Sequence, residues 1–131
     1  MPYIANITLF VGNYDKAIAW YSKLGFKVVQ DEKKEEGARW VTIRPPPSGC
    51  TSAETTILLA EPVGDEQKGF VGNQAGGKVF LILATDDFDR DHKRFSDAGV
   101  EWEEKPRWET YGKVAVWKDL EGNLWDLIQY T

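Results

Sequence analysis

The sequence predicts an α+β domain built from two βαβββ modules, and three observations lead there. The first is an internal repeat. "NITLFVGNYDKAIAWYSKLGFKVV", from Asn6, aligns without a gap on "FLILATDDFDRDHKRFSDAGVEWE", from Phe80, at an offset of 74 residues. Leu9 falls on Leu83, Asp15 on Asp89, Ser22 on Ser96 and Gly25 on Gly99. The second is that the same offset carries "RWVTIR" onto "KVAVWK" across a variable loop, which a chance match should not do. The third is periodicity: both copies pass from an apolar strand to helical spacing and back to alternation.

Each element then has its reason. The opening strands are "NITLFV" and "FLILAT". Asn13 and Asp87 hold equivalent positions and suit the N-caps of the helices that follow. Tyr14, Ala17, Ile18, Tyr21 and Leu24 form one apolar stripe, and Phe88, His92, Phe95 and Gly99 fall along its counterpart. Gly25 and Gly99 stop the helices, because the left-handed backbone of a helix end favours glycine. Three strands complete each copy: "FKVVQ", "RWVTIR" and "TTILLAE", then "VEWEE", "KVAVWK" and "NLWDLIQ". "RPPPSGCTSAE" reads as a loop, since three prolines cannot sit inside a sheet. "EPVGDEQKGFVGNQAGG" reads as a connection. The single domain of 131 residues therefore divides into module one (about 1–62), a linker (about 62–77) and module two (about 78–131).

Composition bounds the function. The chain is 42% hydrophobic and 28% charged, with six Trp, five Tyr and six Phe, which suits a tight core or a stacking pocket. A net charge of −5 argues against a nucleic-acid partner. One cysteine, Cys50, leaves no intrachain disulfide and no multi-cysteine metal site; it sits in a loop without an obvious activating base. The N-terminus lacks the basic leader of a signal peptide, and no apolar run is long enough to cross a membrane. The expectation is a cytoplasmic protein without a membrane partner.

Two βαβββ modules in this order resemble the vicinal oxygen chelate superfamily, which includes glyoxalase I, extradiol dioxygenases, fosfomycin-resistance enzymes and bleomycin-resistance proteins. "AIAWYSKLGF" looks like the helix-to-strand passage of the first module, and "KDLEGNLWDLIQ" is similar to the closing D-x-x-G-N-x-x-x-L hairpin. The resemblance covers essentially the whole chain. It implies half-barrels whose concave faces form a cup for metal and substrate, and it implies a homodimer. Such a fold hosts many activities, so the residues must decide among them.

Alternation assigns the faces. Ile7, Leu9 and Val11 should meet the helices, leaving Asn6, Thr8 and Phe10 on the cup side. By the same count Trp125 and Leu127 take the helix side, while Leu124, Asp126 and Ile128 face the cup with Trp40, Thr42, Arg44, Leu58, Phe80 and Ile82. Metal-using members of the family place His, Gln or Glu ligands on four strands, at positions that align with Asn6, Leu58, Phe80 and Asp126. Leu58 and Phe80 carry no donor atom, and His92, the only histidine, falls on the helix stripe. No metal ligands are therefore assigned and no cofactor is expected.

Asp126 stands out, because a carboxylate in a strand must face water, answer a partner or meet a ligand. Three readings stay open for it: a structural carboxylate bonded to Asn6 or an arginine, a ligand-contacting anion, or a general base with Tyr111 as acid. Phe10, Trp40 and Phe80 suit either core packing or a pocket for a flat apolar ligand. Arg44 could pair with Asp126 or clamp an anion, and Trp108 and Tyr111 fall in a turn that could cover the pocket mouth. The expected function is binding of a small hydrophobic or aromatic molecule, as in a bleomycin-resistance protein. The alternative is a divalent-metal-dependent lyase or dioxygenase of the glyoxalase type with an atypical ligand set.

Overall fold

Both helices begin at their expected capping residues. In the computed structural model, which describes residues 2–35, 38–47 and 55–131, Asn13 accepts the Lys16 N–H at 2.9 Å ahead of α1 (Tyr14–Lys23). Asp87 accepts the Arg90 N–H at 3.1 Å ahead of α3 (Phe88–Asp97). Both helices also end alike. Phe26 N–H reaches back to Tyr21 O at 3.2 Å and Val100 N–H to Phe95 O at 3.0 Å, over Gly25 and Gly99 at φ 96° and 91°. That closure satisfies the last helix carbonyls and needs the left-handed backbone that glycine adopts without strain. Cys50 lies outside the described residues.

The chain divides into two compact units, the first closing at Gly72 and the second taking up at Asn73. In module one β1 (Asn6–Phe10), β2 (Lys27–Lys33), β3 (Arg39–Arg44) and β4 (Thr56–Ala60) form a sheet of order β1-β4-β3-β2. The parallel pair is β1 with β4, and the others are antiparallel. Leu9, Val11, Val41, Ile43, Ile57 and Leu59 are buried on one face, with Ala17, Tyr21 and Leu24 of the helix. Each large side chain so buried contributes roughly 1.5–3 kcal/mol. Arg39 ties this face together. Its guanidinium meets Asp15 of α1 at 2.9 Å and Asp31 of β2 at 2.8 and 2.9 Å, and the bond from Arg39 holds the Asp31 carboxyl below its ordinary range. It is paired, where flanking charges of a strand are usually solvated.

In module two β5 (Val79–Ala84), β6 (Arg107–Glu109), β7 (Gly112–Lys118) and β8 (Leu124–Tyr130) repeat the pattern as β5-β8-β7-β6. The core is aromatic: Trp117 stacks on Trp125 at 4.8 Å, and Phe95 meets Trp117 edge-on at 5.1 Å. His92 lies in the same layer, between Phe88 and Trp102 with ring centroids 5.5 and 4.2 Å away. Burial and the nearby Lys113 charge push its pKa down. It is a packing residue of the helix stripe.

Two expectations about elements change. "VEWEE" forms only an isolated bridge, Trp102 to Trp117, with bonds from Glu103 N–H to Val116 O (2.7 Å) and Lys118 N–H to Glu101 O (3.0 Å). The strand resumes at β6, past Pro106, which has no N–H to give the ladder. The connection also contains a short helix, α2 (Gly64–Lys68), where the Gln67 side chain accepts the Val63 N–H at 2.9 Å.

Candidate functional site: the Asp126 face of module two

Strand register places Asp126 opposite Ile82 of β5 on one side and Val116 of β7 on the other. Paired residues share a face, so the three side chains form one row. The row has a counterpart in module one, where Leu58 lies opposite Thr8 and Thr42. Asp126 is thus the structural equivalent of Leu58, a carboxylate where the other copy carries an aliphatic side chain. Trp125 and Leu127, its strand neighbours, are buried, as the alternation predicts.

The surroundings of this carboxylate are apolar. Ile82 is 59% exposed, and Val116 is half-buried. Among the described residues the Asp126 side chain makes no hydrogen bond and no ion pair. Burial raises its pKa, and Arg107 partly offsets that rise from a distance. Arg107 itself is engaged elsewhere: its guanidinium pairs with Glu104, bonds Glu109 at 2.8 Å and interacts with Tyr111. The expectation of a partner for Asp126 therefore finds a long-range field where a contact was expected.

A second carboxylate, seven residues earlier, shows the contrast. Asp119 opens the D-x-x-G-N turn and is 5% exposed. It accepts the Glu121 N–H (3.1 Å), the Asn123 N–H (2.8 Å), the Asn123 side-chain amide (3.0 Å) and the Trp125 indole N–H (3.0 Å). The Asn123 oxygen in turn accepts the Gln74 N–H at 3.0 Å. That motif builds the turn that launches β8 and so positions Asp126.

The other candidate residues separate. Thr42 is buried, and its hydroxyl and the Trp40 indole N–H share Gln30 Oε1, at 3.5 and 3.0 Å. Asn6 donates to Thr56 Oγ1 at 2.5 Å, and Phe10 stacks on Phe70 at 6.3 Å. Arg44 is exposed at the end of β3, in register with Lys27. Leu58 is half-buried in its row.

Phe80 and Trp108 depart from expectation. Phe80 falls at a register irregularity between Val79 and Leu81, and its ring meets the edge of Trp125, a helix-side residue, at 6.1 Å. Trp108 sits in β6 opposite Lys113, whose ammonium lies over the Trp108 and Phe88 rings and bonds Asp89 of α3 at 2.8 Å. It therefore belongs to the helix side, not over Asp126. Tyr111 alone keeps the turn, half-exposed. Arg107 was missed because "PRWETYGK" reads as a turn; the Arg-Trp-Glu alternation before Thr110 was the available signal for β6.

The metal positions implied by the family do not fit a metal. Leu58 and Phe80 offer no donor, which leaves only the Asn6 amide oxygen and the Asp126 carboxylate among the four positions. Among the described residues no group of three or more His, Cys, Asp or Glu side chains could hold a metal ion.

The model of the Glyoxalase/Bleomycin resistance protein/Dioxygenase superfamily matches residues 3–127. The chain belongs to that superfamily. A relative from Shewanella frigidimarina (strain NCIMB 400) is 47% identical over 128 residues, spanning 96% of this chain and 92% of its own. Among solved structures of the superfamily fold, UcmS2 is similar at a TM-score of 0.80 and 27% identity, with 98% of each chain covered. TnmS3 from Streptomyces sp. CB03234, described as an antibiotic binding protein, is similar at 0.76 and 25% identity, over 100% of this chain and 98% of its own. Superfamily members thus include binders of small molecules. No helix among the described residues is long and apolar enough to cross a membrane.

Proposed function

We propose that this protein binds a small molecule with an apolar or aromatic surface, reversibly and without a catalytic metal, on the module-two face that carries Asp126. The observation that carries the reading is the half-buried Asp126 carboxylate, without a partner among the described residues, in a row with exposed Ile82. A fold that orders such a group without an internal partner pays desolvation that a ligand can offset. An exposed isoleucine beside it supplies apolar contact area. The likeness to TnmS3 supports the same class of function.

A thermal-shift screen of planar and alicyclic compounds, with and without chelator, tests this reading, because binding to the native state alone raises apparent stability. Hits should persist with chelator and should shift the backbone amide resonances of Ile82, Val116 and Asp126. Hits that require an added divalent metal, or that leave those amides unmoved, would refute it.

A further inference from the structure

We infer that the ligand of this face carries a cationic nitrogen, and that Asp126 receives it. The inference rests on the binding reading above and adds the chemical class. An ionised carboxylate only accepts hydrogen bonds, so whatever completes Asp126 must donate. Its row neighbours, Ile82 and Val116, have no side-chain donor, and the sheet's own N–H groups serve the strand ladders on both sides of β8.

The cations of the same face are already matched. Arg107, which lies opposite Val114, is held by Glu104 and Glu109. Lys118, which lies opposite Leu124, is paired with Glu103 at 3.2 Å. Neither cation is free to answer Asp126, whose carboxylate leaves its own row negative. An anionic ligand would meet it unfavourably. A neutral donor would gain one hydrogen bond, whereas an ammonium gains a charge-assisted one, about twice as strong, in a site partly shielded from water. A divalent metal would find one carboxylate among aliphatic neighbours, short of the donors that it needs. An amine attached to an apolar or aromatic body meets both demands: the nitrogen at Asp126, and the body against Ile82 and Val116. The net charge of −5 adds a long-range attraction of the same sign.

The test uses three probes with one skeleton: 4-phenylbutylamine, 4-phenylbutanol and 4-phenylbutyrate. Each is titrated into the isotope-labelled protein at neutral pH, with the amides of Ile82, Val116 and Asp126 followed by NMR. The amine should bind there at least tenfold more tightly than the alcohol, and the carboxylate most weakly. Asp126→Asn should weaken the amine at least tenfold and the alcohol far less, and the dispersion of its amide resonances shows that the variant is folded. Equal affinities for amine and alcohol, or a preference that survives Asp126→Asn, would overturn the inference and leave the binding reading standing. If no probe moves those amides at about 10 mM, a concentration that detects even millimolar affinity, both fall.

Discussion

The Asp119 carboxylate accepts the indole N–H of Trp125 at 3.0 Å, locking the start of β8 to the turn that precedes it. The very next side chain along the strand, Asp126, has no partner among the described residues. One carboxylate holds the strand in place, and the other is displayed by it.

Asp119→Ala should destabilise the protein by about 3 kcal/mol, since it strands several buried donors at once, each with a cost of about 1–3 kcal/mol. Urea denaturation checks this through the midpoint at constant slope. A loss below about 0.5 kcal/mol, the scale of an ordinary surface substitution, would show that the turn does not depend on that carboxylate.

Asp126→Asn should behave in the opposite way, leaving stability unchanged or raising it by about 1 kcal/mol at neutral pH. The sign follows from linkage. The folded pKa lies above the ordinary 3.8, so the folded state binds more protons than the unfolded state in the window above that value. Stability therefore falls as pH rises through the window, and the cost is fully present above it. The advantage of the variant should be full at pH 7 and vanish below 3.8. Paired denaturation curves across that range measure it, and a variant less stable than the parent at pH 7 would reveal a structural bond to Asp126.

The helices, their caps and their glycine stops were legible from local chemistry, because Asn13, Asp87, Gly25 and Gly99 act on their own neighbours. The faces of β1 and β8 were legible because alternation leaves little freedom once Leu9 and Leu127 are buried. What escaped depends on pairing partners. The irregularity at Phe80 arises from register with β8, and the break between Trp102 and β6 spans Pro106, which has no N–H for a ladder. The same limit concealed Arg107: its effect on Asp126 is set by the order of strands, to which single-strand periodicity is blind.

Metal independence is the next expectation. Chelation should leave the melting temperature within about 2 °C, because loss of a structural metal removes many kcal/mol. Elemental analysis should find less than stoichiometric transition metal; one tightly held zinc, iron or nickel per chain would contradict the reading.

Assembly is the fourth. Tyr3 and Ile4, just ahead of β1, are 71% and 67% exposed, and apolar side chains so placed favour pairing with a second copy. Light scattering at tens of micromolar should give twice the chain's 14.9 kDa. A value at the monomer mass would exclude a stable dimer at that concentration.

Reversible binding without turnover is tested most directly by recovering the ligand. A hit from the thermal-shift screen is incubated in excess with the protein, with and without added divalent metal, then separated and weighed by mass spectrometry. The expected result is saturation at one molecule per chain and full recovery at unchanged mass under both conditions. Conversion of several equivalents per chain, above all conversion that requires the metal, would contradict it.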